Sequence, residues 1–235
     1  MRFPKAHYGI KMLFISEILS LVVVVIDSVL TGVISLPDTG DTAGAAVKGG
    51  ILLGVFLIVL PAAIISLVLH FVGLSNAKAD EPRFRTALIL QIVNLVLLFV
   101  LGCIMMVFVF SSVLKSVGGG SIPVMPSFFP VYIFLVGLIG TGFSMCVMLC
   151  IASGISNLAR KLGDEPVETY SRRFQGVIVA FSIISLVIRA LSSFAFGANP
   201  DITINWPTLI NMLLTIVLQL ITVVYVARAK RMLAQ

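Results

Sequence analysis

The stretch TALILQIVNLVLLFVLGCIMMVFVFSSVL, residues 86–114, runs for 29 residues without one Asp, Glu, Lys or Arg. A helix needs roughly 20 apolar residues to cross a hydrocarbon core of about 30 Å, so this segment is long enough to span a bilayer by itself. Working outward from it, five further apolar runs fill most of the chain, at approximately 12–36, 50–74, 128–158, 174–197 and 207–228. Short charged or Gly/Pro-rich breaks separate them. No water is available in the hydrocarbon core, so each backbone amide must find its partner within its own helix. A β-barrel would show alternating segments of about ten residues, which these continuous runs exclude. The sequence therefore predicts an all-α integral membrane protein, a six-transmembrane-helix bundle occupying 1–235 as a single domain.

Composition agrees. Of 235 residues, 59% are hydrophobic and 11% charged, and the mean hydropathy is +1.15. That leaves too little polar surface to keep a soluble domain dispersed. The net charge of +6 reads as membrane topology and not as a nucleic-acid footprint, because of where the cations fall. Thirteen of the sixteen Lys and Arg lie before run 1, between runs 2 and 3, between runs 4 and 5, or after run 6. Lys48 and Lys115 fall on the other side, and Arg189 lies inside run 5. The positive-inside rule then predicts a multi-pass protein of the plasma or inner membrane with both termini cytoplasmic, in contact with anionic head groups. Arg2, Lys5 and Lys11 ahead of an apolar run resemble the start of a signal peptide, but that run exceeds the about 7–15 residues of such a segment, so an uncleaved first helix is expected. Cys103, Cys146 and Cys150 all fall inside apolar runs, an odd count that argues against a disulfide framework.

Two linkers resemble each other. Gly73-Leu74-Ser75-Asn76 is followed by Asp80-Glu81-Pro82, a basic cluster and Phe84; Gly154-Ile155-Ser156-Asn157 is followed by Asp164-Glu165-Pro166, a basic cluster and Phe174. The odd runs also carry paired polar residues three apart: Glu17/Ser20, Gln91/Asn94 and Ser182/Ser185. Three tandem helical hairpins account for both patterns, with outer loops around 37–49, 115–127 and 198–206. Ser-Asn suits a helix C-cap and Pro after two acids suits the start of a new helix, so the linkers read first as capping and solubilising elements.

Ionisable groups inside a membrane are costly and usually face the interior of a bundle. Asp27 and Arg189 each lie 16 residues from a cation that bounds their run, about 24 Å at the helical rise, which places them at similar depth. They are expected to neutralise each other, either in a solute site or as a structural pair fixing helix register. Glu17 and His70 both fall near the basic end, where they would form a proton-linked pair or reach the interface separately. Gln91, Asn94, Asn211 and Gln219 lie on polar stripes that extend the site, or that act as interhelical hydrogen-bonding glue. Small residues on run 4, including Gly137, Gly140, Thr141 and Ser144, read first as a close-packing face.

Several activities find no support. Gly118-Gly119-Gly120 lacks the Lys-Ser/Thr of a phosphate loop. His7 and His70 are the two histidines, too few for a multi-His metal site, and Ser153 with His70 makes a poor catalytic dyad. No catalytic residue, cofactor or metal is expected, and the chain reads as a non-enzyme. The leading expectation is a membrane protein that binds or transports a small polar or charged solute through a polar interior. The alternative is a non-catalytic scaffold or accessory subunit that holds a protein partner, or further copies of itself, and uses the Asp-Glu-Pro linkers for a partner.

Overall fold

A computed structural model describes residues 3–34, 42–119, 129–191 and 206–234. All of its regular structure is helical: α1 (Pro4–Ile34), α2 (Thr42–Ala77), α3 (Arg83–Gly119), α4 (Phe129–Leu162), α5 (Glu165–Leu191) and α6 (Trp206–Ala234). Each contains a segment long and apolar enough to cross a membrane. The chain is thus a multi-pass membrane protein by length and composition, and its outer surface fits a lipid solvent. Phe99, Met106, Leu57, Val107 and Leu213 are each more than 60% exposed, as expected where acyl chains take the place of water.

Several helices run past the apolar limits read from sequence. α1 begins at Pro4 and carries Lys5 and Lys11; α5 begins at Glu165, nine residues before its apolar run; α6 continues to Ala234 through Arg228, Lys230 and Arg231. Hydropathy ends at the first charge, whereas helix propensity does not, since Lys, Arg and Glu are good helix formers. Likewise α2 begins at Thr42 and α3 continues to Gly119, so parts of the loops expected at 37–49 and 115–127 are helical. The remainder of those loops, and most of the third, lie outside the described residues.

The Ser-Asn pairs are not C-caps. Asn76 sits within α2 and its Nδ2 donates to Val72 O at 2.8 Å, while Asn157 lies five residues before the end of α4. α4 stops instead at Gly163, whose φ of +77° suits a residue without Cβ. Gly163 N donates to Arg160 O (3.2 Å) and Asp164 N to Ala159 O (3.0 Å), a Schellman motif. Asp164 then caps α5, accepting from Val167 N at 3.1 Å. Two residues thereby end one helix and start the next.

Each helix packs on its successor, and α6 returns to α1. The tightest approach is α1 on α2: a Cβ placed on Gly9 would lie 2.5 Å from Gly73 O. The buried core is concentrated at the basic end. Phe84 packs over Gly154, and Phe174 stacks on Tyr225 with ring centroids 4.1 Å apart. Tyr225 is 1% exposed, and its hydroxyl donates to Ser171 Oγ at 2.9 Å.

The first Asp-Glu-Pro linker ties this end together. Asp80 accepts from Ala6 N at 2.6 Å, anchoring the start of α1. Glu81, 3% exposed, accepts from Lys161 Nζ at 2.6 Å and Asn157 Nδ2 at 3.0 Å, both on α4. Burial pushes the Glu81 carboxyl up, but the hydrogen bonds from Lys161 and Asn157 outweigh it and hold the group below its usual range. The acids of this linker are structural staples, whereas in the second linker Glu165 and Pro166 are exposed.

Candidate functional site

Above the packed basic end lies a cavity of about 720 Å³, walled by residues from all six helices. Its position follows from side-chain size. At the level of Phe84, Phe174 and Tyr225 large side chains fill the axis, and farther out small ones leave it open. α4 supplies Gly137, Gly140, Thr141 and Ser144 to the wall. The small face read from sequence as a packing surface therefore borders open space for much of its length, although Gly140 also meets Leu98, 3.6 Å from where its Cβ would stand.

The inner end of the cavity holds a polar cluster around one acid. Glu17 on α1 is 5% exposed. Its Oε2 accepts from Gln219 Nε2 on α6 at 2.6 Å, and the same amide lies 3.2 Å from Glu17 O. Its Oε1 faces His70 Nδ1 on α2 at 3.7 Å, an ion pair only when the imidazole is protonated. His70 Nε2 is buried without a hydrogen-bond partner among the described residues. Beside it, Ser16, next to Glu17, and Ser66, one turn from His70, clasp α1 to α2: each hydroxyl donates to the other residue's carbonyl, at 2.8 and 2.9 Å. Those serines were legible only as members of polar faces; nothing in the sequence pairs them.

The outer part of the cavity holds a cation. Arg189 on α5 lies against α4, where a Cβ on Gly137 would stand 2.9 Å from Arg189 Nη1. The absence of a side chain at Gly137 is what makes room for the guanidinium. One turn inward, Ser185 Oγ donates to Asn211 Oδ1 at 2.6 Å, so Asn211 links α6 to α5. Gln91 lines the cavity from α3. Asn94, 6% exposed, has a buried Oδ1 without a hydrogen-bond partner among the described residues. Asp27 is exposed on α1, outward of the Ser16–Val23 segment that contributes the described α1 wall.

Of the residues singled out from sequence, Glu17, His70 and Gln219 are brought together, and Gln91 and Arg189 share the same cavity. Asp27 and Asn94 sit elsewhere on their helices. The sequence offered no signal for Gly137 as the seat of Arg189, or for the burial of Glu81, since a Gly in an apolar run and an acid in a polar linker have many uses.

A second, smaller cleft of about 350 Å³ lies beside the second linker, between Glu165, Tyr170, Arg173 and Arg228. There Arg228 stacks over Tyr170, its guanidinium carbon 4.4 Å from the ring centroid. No protein-family model, curated protein or solved structure matches this chain.

Proposed function

We propose that this protein is a non-enzymatic six-helix membrane bundle that binds or passes a small polar or charged solute through the central cavity. The observation that carries the reading is one cavity, within the roughly 300–1,000 Å³ of small-molecule sites, holding Glu17, His70 and Gln219 at one end and Arg189 toward the other. A buried ionisable group such as Glu17 costs several kcal/mol in a membrane and is retained where it contacts something polar. Both termini are taken as cytoplasmic, supported by the basic helix ends meeting at one side. Three tandem hairpins are supported by the equivalent motif positions of Gly73 and Gly154, each at a close contact with the preceding helix.

A thermal-shift screen of the detergent-purified protein against ions, amino acids, vitamins and nucleosides tests the reading. A ligand at about 100 times its Kd adds roughly 2.7 kcal/mol of stability. A hit that disappears in Glu17→Gln or Arg189→Gln supports it, and silence across every solute class ends it.

The second reading is a membrane scaffold. The exposed second linker with its Tyr170–Arg228 cleft favours it, while the first linker, turned inward through Asp80 and Glu81, does not. Co-purification of a stoichiometric partner, lost on substituting Arg228 and Tyr170, is its signature.

A further inference from the structure

The two charged ends of the cavity lie at different heights, and their separation sets the length of what spans them. Contacts between neighbouring helices give it. On α5, Phe174 stacks on Tyr225, and Arg189 lies 15 residues farther out. On α4, Ala152 O accepts from the Tyr225 hydroxyl, and Gly137, the seat of Arg189, also lies 15 residues farther out. On α6, Gln219, which holds the Glu17 carboxylate, is six residues out from Tyr225. Through Tyr225 the guanidinium sits nine residues beyond the carboxylate, about 13 Å at 1.5 Å per residue. Through the Ser185–Asn211 contact, eight residues out from Gln219 with Arg189 four farther, it sits twelve beyond, about 18 Å.

Among the described lining residues, Glu17 is the acid, Arg189 the permanent cation and His70 the one other titratable group. The wall also includes apolar side chains (Phe181, Leu214, Met145) and hydrogen-bonding groups (Gln91, Thr141, Thr215). A single amino acid, with its charges a few ångströms apart, reaches one end or the other but not both.

We infer that the cavity takes an extended zwitterion of tetra- or pentapeptide length, its ammonium at Glu17 and its carboxylate at Arg189. An extended chain covers about 3.3–3.6 Å per residue, so about 13–18 Å corresponds to about four or five residues. Peptide groups along such a ligand would meet the polar wall positions, and small side chains would meet the apolar ones. This rests on the solute-binding reading above and specifies its ligand.

The test uses the full-length protein and the series alanine, dialanine, trialanine, tetra-alanine and penta-alanine, read by thermal shift and calorimetry. Affinity is expected to emerge at four or five residues. N-acetylation of that peptide should weaken binding about 30-fold or more, since it removes the partner of the buried Glu17 carboxylate, and C-terminal amidation about 5-fold, since Arg189 is exposed. In Glu17→Gln, acetylation should have no further effect; in Arg189→Gln, amidation should have none. The blocked peptides act on the unaltered protein, so the result survives a variant that fails to fold. Alanine binding as tightly as tetra-alanine, or blocked peptides binding as well as free ones, overturns the inference. A different polar solute binding at Glu17 while every peptide fails overturns it and leaves the solute reading standing; no binding by any solute ends both.

Discussion

Gln219 Nε2 lies 2.6 Å from Glu17 Oε2, joining the last helix to the first across 202 residues of sequence. This contact closes the circuit of helices beside the cavity and gives a buried carboxylate a donor. Replacing Gln219 with Leu leaves that carboxylate without its amide. Hydrogen bonds to charged groups contribute about 1.5–3 kcal/mol, so the melting temperature of Gln219→Leu should fall by several degrees. A variant that melts like the parent would show that the contact does not form in the folded protein.

The Ser16–Ser66 clasp is reciprocal, so its two halves should not be independent. Interhelical hydrogen bonds in membranes average about 0.6 kcal/mol and reach about 1.7 kcal/mol. Ser16→Ala and Ser66→Ala should each destabilise by about that amount, and the double variant by less than their total. A double-mutant cycle measured by chemical or thermal unfolding reads the difference, and strict additivity would argue against the pairing.

Gly9 and Gly73 set the spacing of α1 and α2. A methyl group on Gly9 would meet Gly73 O at 2.5 Å, and backbone cannot rotate away as a flexible side chain can. Gly9→Ala should cost about 1–3 kcal/mol or more through forced separation of the helices. Gly102 and Gly142 provide controls, because a Cβ there meets nothing within 4 Å. Ala at either should be neutral or stabilise by up to about 1 kcal/mol through helix propensity.

Glu81 should make stability depend on pH at the acidic end. Its carboxyl is held below the ordinary value of 4.5 by Lys161 and Asn157. A carboxyl with a depressed folded-state pKa stabilises the fold above its unfolded pKa and loses that contribution as pH falls through the folded one. The parent protein should therefore lose melting temperature between neutral and strongly acidic pH by more than Glu81→Gln does. Parallel pH profiles for the two proteins would remove Glu81 from this role.

The class of the protein was legible in sequence for a simple physical reason. Six long apolar runs have one stable arrangement in a lipid solvent, and 86–114 alone is sufficient to show the period-independent hydropathy of a spanning helix. Helix ends were less legible, because Lys5, Arg173 and Arg231 end the apolar signal without ending the helix. Polar faces on every helix were also visible, including Glu17, His70, Gln91, Gln219 and Arg189. What they touch was not. Contacts such as Glu17 with Gln219, Ser16 with Ser66 and Glu81 with Lys161 join positions at least 50 residues apart, and an apolar run gives no information about which face of a neighbour it meets. The same indifference hid Gly137, which is one small residue among many until the structure places the Arg189 guanidinium over it. Hydropathy is a property of each segment alone and so fixes the membrane spans, whereas the cavity is created by the relative rotation and height of six helices, which side-chain packing alone decides.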